Sequence, residues 1–181
     1  HNNSIKDSIL LFTDSSNRPP LIYILHKLFN PFFNDLNSFR LIVFLVSLLV
    51  PILLFFCFKE KFKKIDNIIL LLFTSIIFFN PFFRTSSFWG LEENYAYITL
   101  LLSLLYLLKL KNGEKKEKKS IYFELTMLTF FSSLCLYFDQ KFLIIPLISF
   151  IKIITSNLHI NFKLYSTFLY FIFAIPFIYL I

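Results

Sequence analysis

The chain has 181 residues, a formal net charge of +7, 57% hydrophobic residues and 27 phenylalanines, with a mean hydropathy of +0.70. A water-soluble domain of this length has no core large enough for that much apolar surface, so a soluble fold is excluded and an integral membrane protein is expected. The two cysteines, Cys57 and Cys135, sit apart within apolar runs, which excludes a disulfide framework or a thiolate metal motif.

The sequence opens at His1 without an initiator Met and closes at Ile181 inside an apolar stretch, so a piece of a longer protein is expected. Residues 1–38 read as a loop on the outer side of a membrane, and residues 39–181 as a transmembrane helical region incomplete at both ends. Within the loop, Asn17-Arg18-Pro19-Pro20-Leu21-Ile22-Tyr23 carries a proline pair that ends any preceding helix and admits a new one. The helix predicted from Pro20 to Phe29 is too short to span and is expected to lie along the outer interface, apolar side inward. Phe32 to Leu36 would turn the chain into the first span, with Arg40 at that span's outer end.

Apolar runs able to cross about 30 Å of hydrocarbon lie at Phe39–Phe58, Asn67–Phe83, Tyr95–Leu110, Ile121–Phe138, Phe142–Thr155 and Leu164–Ile181. They are unbroken rather than alternating, so a barrel is excluded. The fold class is all-α: a polytopic transmembrane helical bundle of about six spans plus the short interfacial helix. Lys59-Glu60-Lys61-Phe62-Lys63-Lys64 and the stretch from Lys109 to Lys119 hold most of the basic charge, and lysines in short loops stay cytoplasmic. Alternation then sends Arg84–Asn94, Asp139–Lys141 and everything before Phe39 to the opposite side. The excess of lysine suits anionic lipid headgroups of the inner leaflet; nothing in it points to nucleic acid.

One asymmetry follows. The cytoplasmic loops are plain lysine-rich connectors, whereas the outer side collects Asp14, Arg18, Arg40, Arg84, Glu92, Glu93, Asn94, Asp139, Gln140 and Lys141. Adjacent Glu92 and Glu93 diverge by about 100° on a helix, so only one can readily face a cavity. At least one is expected to be a plain helix N-terminal charge. Asp139 and Lys141, in a tight turn between apolar runs, are expected to pair. Trp89, Tyr95, Tyr97 and Tyr137 fit an interfacial aromatic belt, Glu124 and Lys152 are expected to snorkel near cytoplasmic ends, and His26 and His159 fall on opposite sides.

The Pro-Pro-Leu-Ile-Tyr helix followed by Arg40 opening a long apolar helix resembles the first outer loop of the type C polyprenol-dependent membrane glycosyltransferases, among them protein O-mannosyltransferases, lipid A aminoarabinose transferases and dolichol-pathway glucosyltransferases. Many of these have His-Pro-Pro-Leu, where this chain has Arg18. Two further segments are similar: Phe83-Arg84-Thr85-Ser86-Ser87-Phe88-Trp89-Gly90-Leu91-Glu92-Glu93-Asn94-Tyr95-Ala96, and Leu136-Tyr137-Phe138-Asp139-Gln140-Lys141-Phe142.

The resemblance implies transfer of a hexosyl or pentosyl group from a lipid-linked sugar phosphate to a glycan, lipid or protein acceptor on the non-cytoplasmic face. That face is the periplasm of a bacterial inner membrane, or the endoplasmic reticulum lumen in a eukaryote. It also implies an acid from the first outer loop, for which Asp14 is the best carboxylate and Asp7 the second. Glu92 and Glu93 join Asp14 as candidate catalytic groups, and Arg18, Arg40, Arg84, Tyr95, Asp139 and Lys141 as candidates to bind donor phosphate or substrate. Blander readings stand beside these: Asp14 as a local cap in Asp-Ser-Ser-Asn, and Arg84 as an interfacial anchor. A transporter or flippase of lipid-linked sugars, or a non-catalytic membrane subunit, is the alternative; transport would place charge or broken helices near mid-membrane.

Overall fold

The computed structural model describes residues 21–29, 36–89, 91–111 and 117–178, all helical or in short connections, with no strand among them. In chain order the helices are α1 (Leu21–Phe29), α2 (Leu36–Ser47), α3 (Leu49–Lys61), α4 (Asn67–Ser75), α5 (Pro81–Trp89), α6 (Glu93–Lys111), α7 (Lys118–Phe138), α8 (Ile144–Ile154) and α9 (Ile160–Ile178). A 3₁₀ turn, Ile76–Phe79, extends α4, and another, Gln140–Leu143, leads into α8.

Helix α7 is the centre. Antiparallel α6 packs along it through a Tyr95–Phe138 stack at 5.5 Å, a Thr99–Cys135 contact at 3.1 Å and a Tyr106–Phe131 stack. On another face α9 runs parallel to α7, joined by Thr126–Tyr165 at 2.8 Å and Ser132–Tyr170 at 3.0 Å, with the Tyr137 hydroxyl donating to Phe173 O. Helix α8 packs between them, and α3 lies on the far side of α6, where Cys57 Sγ donates to Leu101 O. Interhelical contact through small hydroxyl residues is what lipid-embedded bundles use, since apolar side chains gain little by leaving lipid for protein. Val43, Val50, Leu70, Leu125 and Leu128 are buried, while Phe79, Phe82, Ile68 and Leu164 point outward from the bundle.

The pairing order sets two unlike ends. Lys61, Lys109 and Lys118 gather at one, because α3 and α6 finish there and α7 begins there. The starts of α2 and α6 and the end of α7 form the other.

Two continuous helices are long and apolar enough to cross a membrane: Asn37–Lys61, which joins α2 to α3, and Lys118–Phe138. A third crossing exists if Asn67–Phe79 and Pro81–Trp89 count together. The joint between α2 and α3 is a turn at Leu48, three residues after which Pro51 lacks the N–H that would bond back to Ser47.

Local departures from the sequence reading have physical causes. The expected second span, Asn67–Phe83, is not one helix: it breaks at Asn80, and the halves are bent by 67°. Pro81 opens a new helix there, its missing N–H costing nothing at the first position, while Asn80 Oδ1 accepts from Phe82 N at 2.9 Å and from Phe83 N, an N-cap that satisfies two first-turn donors. Consequently Arg84–Trp89, expected as part of an outer loop, is helical. The expected fifth span, Phe142–Thr155, begins in a 3₁₀ turn and is α-helical over only 11 residues. Glu124, expected to snorkel, is instead buried at 6% exposure, because α7 is covered on several faces at once. Lys152 is exposed as expected.

Candidate functional site

Of the polar residues expected on one side of the membrane, Glu93, Asp139 and Lys141 converge at the end opposite the lysine-rich connectors. Glu93 is the first residue of α6, so its carboxylate lies at the positive end of that helix dipole. Asp139 ends α7 in extended backbone, and its Oδ1 accepts from Lys141 N at 2.9 Å, turning the chain into the 3₁₀ turn. This turn aims Lys141 Nζ at two carboxylates, 3.5 Å from Asp139 Oδ2 and 3.6 Å from Glu93 Oε1. The expected Asp139–Lys141 pair is therefore present, with Glu93 as its third member.

The three side chains differ in exposure. Lys141 is 73% exposed, Glu93 18% and Asp139 10%. The Asp139 carboxylate beside Lys141 pushes its ammonium above the usual lysine range; slight burial opposes this and Glu93 adds to it. The Lys141–Asp139 contact is Coulombic, since Asp139 Oδ2 takes part in no aligned hydrogen bond. Glu93 Oε2 is likewise buried without a hydrogen-bond donor. One carboxylate oxygen, Glu93 Oε2, is thus desolvated without a donor, beside an exposed cation shared by Asp139 Oδ2 and Glu93 Oε1.

Glu93 is the helix N-terminal charge expected of at least one of the pair; Glu92 is buried at 6% exposure, and its carbonyl accepts from Tyr95 N and Ala96 N to start α6. Tyr95 stacks on Phe138 beside Ala96. Against the same two buried residues packs α1, through Leu21 and Leu25. The Pro-Pro-Leu helix therefore docks where α6 starts and α7 ends, next to the ion triad.

Arg40 and Arg84 take a separate position. The Arg40 guanidinium lies over the Trp89 ring at 4.8 Å, a cation–π contact between the start of α2 and the end of α5. Arg84 is exposed on α5 and lines an open cleft of about 490 Å³ with Phe44, Ser47, Phe78 and Trp89. The two groups of residues are joined through the backbone and through Asn94 Nδ2, which donates to Ser87 Oγ at 3.0 Å. Sequence reasoning missed this bond and the Arg40–Trp89 contact. Asn94 had been visible only as one amide in a polar stretch, and the stacking partner of Arg40 lies 49 positions along the chain.

Asp14 and Arg18 lie outside the described residues. Among the described residues, no three His, Cys, Asp or Glu side chains are grouped to hold a metal ion. His159 is exposed at the start of α9, where its Nδ1 accepts from Asn161 N. No family model, curated protein or solved structure matches the chain.

Proposed function

We propose that this protein is a membrane glycosyltransferase that moves a sugar from a polyprenyl-phosphate-linked donor to an acceptor on the non-cytoplasmic face. The observation that carries the reading is the Glu93–Lys141–Asp139 triad, at the bundle end opposite the lysine-rich connectors. In this scheme the Glu93 carboxylate, whose side chain is 18% exposed, takes the proton of the acceptor hydroxyl. Lys141, which is exposed, meets the departing lipid phosphate. Asp139 holds Lys141 in place through backbone and charge.

The scheme needs α6, α8 and α9 to cross the membrane with the two longer helices and the bent pair, giving six crossings and an outer loop that contains α1. A transporter would share the broken α4–α5 pair, bent by 67° at Asn80, but not the placement of the acids. The buried acids among the described residues are Glu92, Glu124 and Asp139, each within about two turns of a helix end rather than at mid-span.

The test is turnover of a panel of radiolabelled polyprenyl-phosphate sugars by the protein in detergent or nanodiscs. Release of the lipid phosphate from at least one donor is expected. A folded protein that turns over none, while carrying labelled lipid across vesicle membranes, would move the assignment to the flippase class.

A further inference from the structure

The cleft between α2 and α5 combines features that the proposed transfer reaction leaves unused. Along α2, Arg40, Phe44, Ser47 and Leu48 follow one another down one helix face at the spacing of successive turns. Arg40 is at the polar end of the bundle; Phe44, Ser47 and Leu48 form the wall below it. The opposite wall is Phe78 and α5, including Arg84, Phe88 and Trp89. One guanidinium, Arg84, lines the cleft and a second, Arg40, lies beside it over the ring of the lining Trp89, against walls that are otherwise largely apolar.

Its charge is one-signed. No acid lines the cleft, and no carboxylate pairs with Arg84 or Arg40 among the described residues. Arg40 spends its charge on Trp89, a wall residue, and its buried Nε has no hydrogen-bond acceptor. Guanidinium forks bind phosphate oxygens in pairs, and cationic pockets between membrane helices take anionic headgroups. Phe88 and Trp89 are 63% and 53% exposed, so the cleft opens sideways to a surrounding bilayer.

We propose that this cleft seats one anionic phospholipid of the bilayer, with its phosphate on Arg84 and Arg40 and an acyl chain against Phe44, Leu48 and Phe78. The occupant is a resident lipid and not a reacting one, because the cleft has no general base. Glu93, Asp139 and Lys141 do not line it. This site stands whether or not the transfer reaction does.

Native mass spectrometry tests it, using the full chain exchanged into mixed phosphatidylglycerol and phosphatidylcholine. Retention of one phosphatidylglycerol, favoured about tenfold over phosphatidylcholine, is expected. The preference should vanish in the double variant Arg40→Gln, Arg84→Gln. It should vanish equally in Thr85→Trp, which fills the cleft from an exposed wall position and leaves both charges in place. Equal retention of the two lipids would overturn the proposal, as would a preference that survives either variant. Displacement of phosphatidylglycerol by equimolar polyprenyl phosphate would also overturn it, by giving the cleft to the donor.

Discussion

Two partly buried carboxylates and one exposed ammonium form the strongest electrostatic feature of the described chain. Replacing Lys141 with Met leaves Glu93 and Asp139 facing each other without a cation. A loss of up to about 1 kcal/mol is expected, read as a lower melting temperature in detergent at neutral pH. The pH dependence of that loss has a definite sign. Because the folded protein holds the Lys141 pKa above its ordinary value, the ion-pair contribution is fully present below the unfolded lysine pKa of about 10.4. It disappears as pH rises through the folded value. The difference in melting temperature between wild type and Lys141→Met should therefore be flat from neutral pH to about pH 9 and shrink above about pH 10.5. Much of this site was legible in the sequence, since an acid and a base two positions apart between apolar runs must pair or be wetted. The participation of Glu93, 46 positions before Asp139, was not legible. It depends on α6 and α7 packing antiparallel with Tyr95 level with Phe138.

Individual helices owe their limits to single residues. Asn80 and Pro81 divide what hydropathy presents as one span, because hydropathy does not register a proline that opens a new helix or the asparagine that caps it. Asn80→Ala should cost about 1 kcal/mol, measured as a melting shift, and should leave α7 and its neighbours intact by hydrogen exchange. The seam between α7 and α9 is built from hydroxyl contacts that no periodicity reveals, since serine, threonine and tyrosine look like gaps in an apolar run. A double-mutant cycle on Ser132→Ala and Tyr170→Phe should give a coupling of about 0.6 kcal/mol. A coupling near zero would leave that contact without energetic weight. The apolar side of the Pro-Pro-Leu helix was readable from sequence; its docking on Ala96 and Phe138 needed the fold.

At the scale of the molecule, composition pointed to a membrane protein, the unbroken apolar runs to helices and the loop lysines to two unlike ends. The described residues are helical or in short connections, with two or three helices long and apolar enough to cross a membrane. Helix lengths were less legible, because the bend at Asn80 and the 3₁₀ start of α8 shorten runs that look continuous in sequence. The orientation is a separate matter of charge. Cysteine substituted at Gln140, which is exposed, should react with an impermeant maleimide added outside intact cells, while cysteine at Lys63 should react only after permeabilisation. The opposite pattern would put the triad on the cytoplasmic side and remove the basis for a lipid-linked donor acting outside. The central claim is that the triad at the end opposite the lysine-rich connectors performs the transfer. Its most direct test is the rate of donor turnover in Glu93→Gln against wild type, both shown to be folded by their melting curves. The account predicts a fall of at least about 100-fold with the affinity for the donor nearly unchanged; turnover equal to wild type would contradict it.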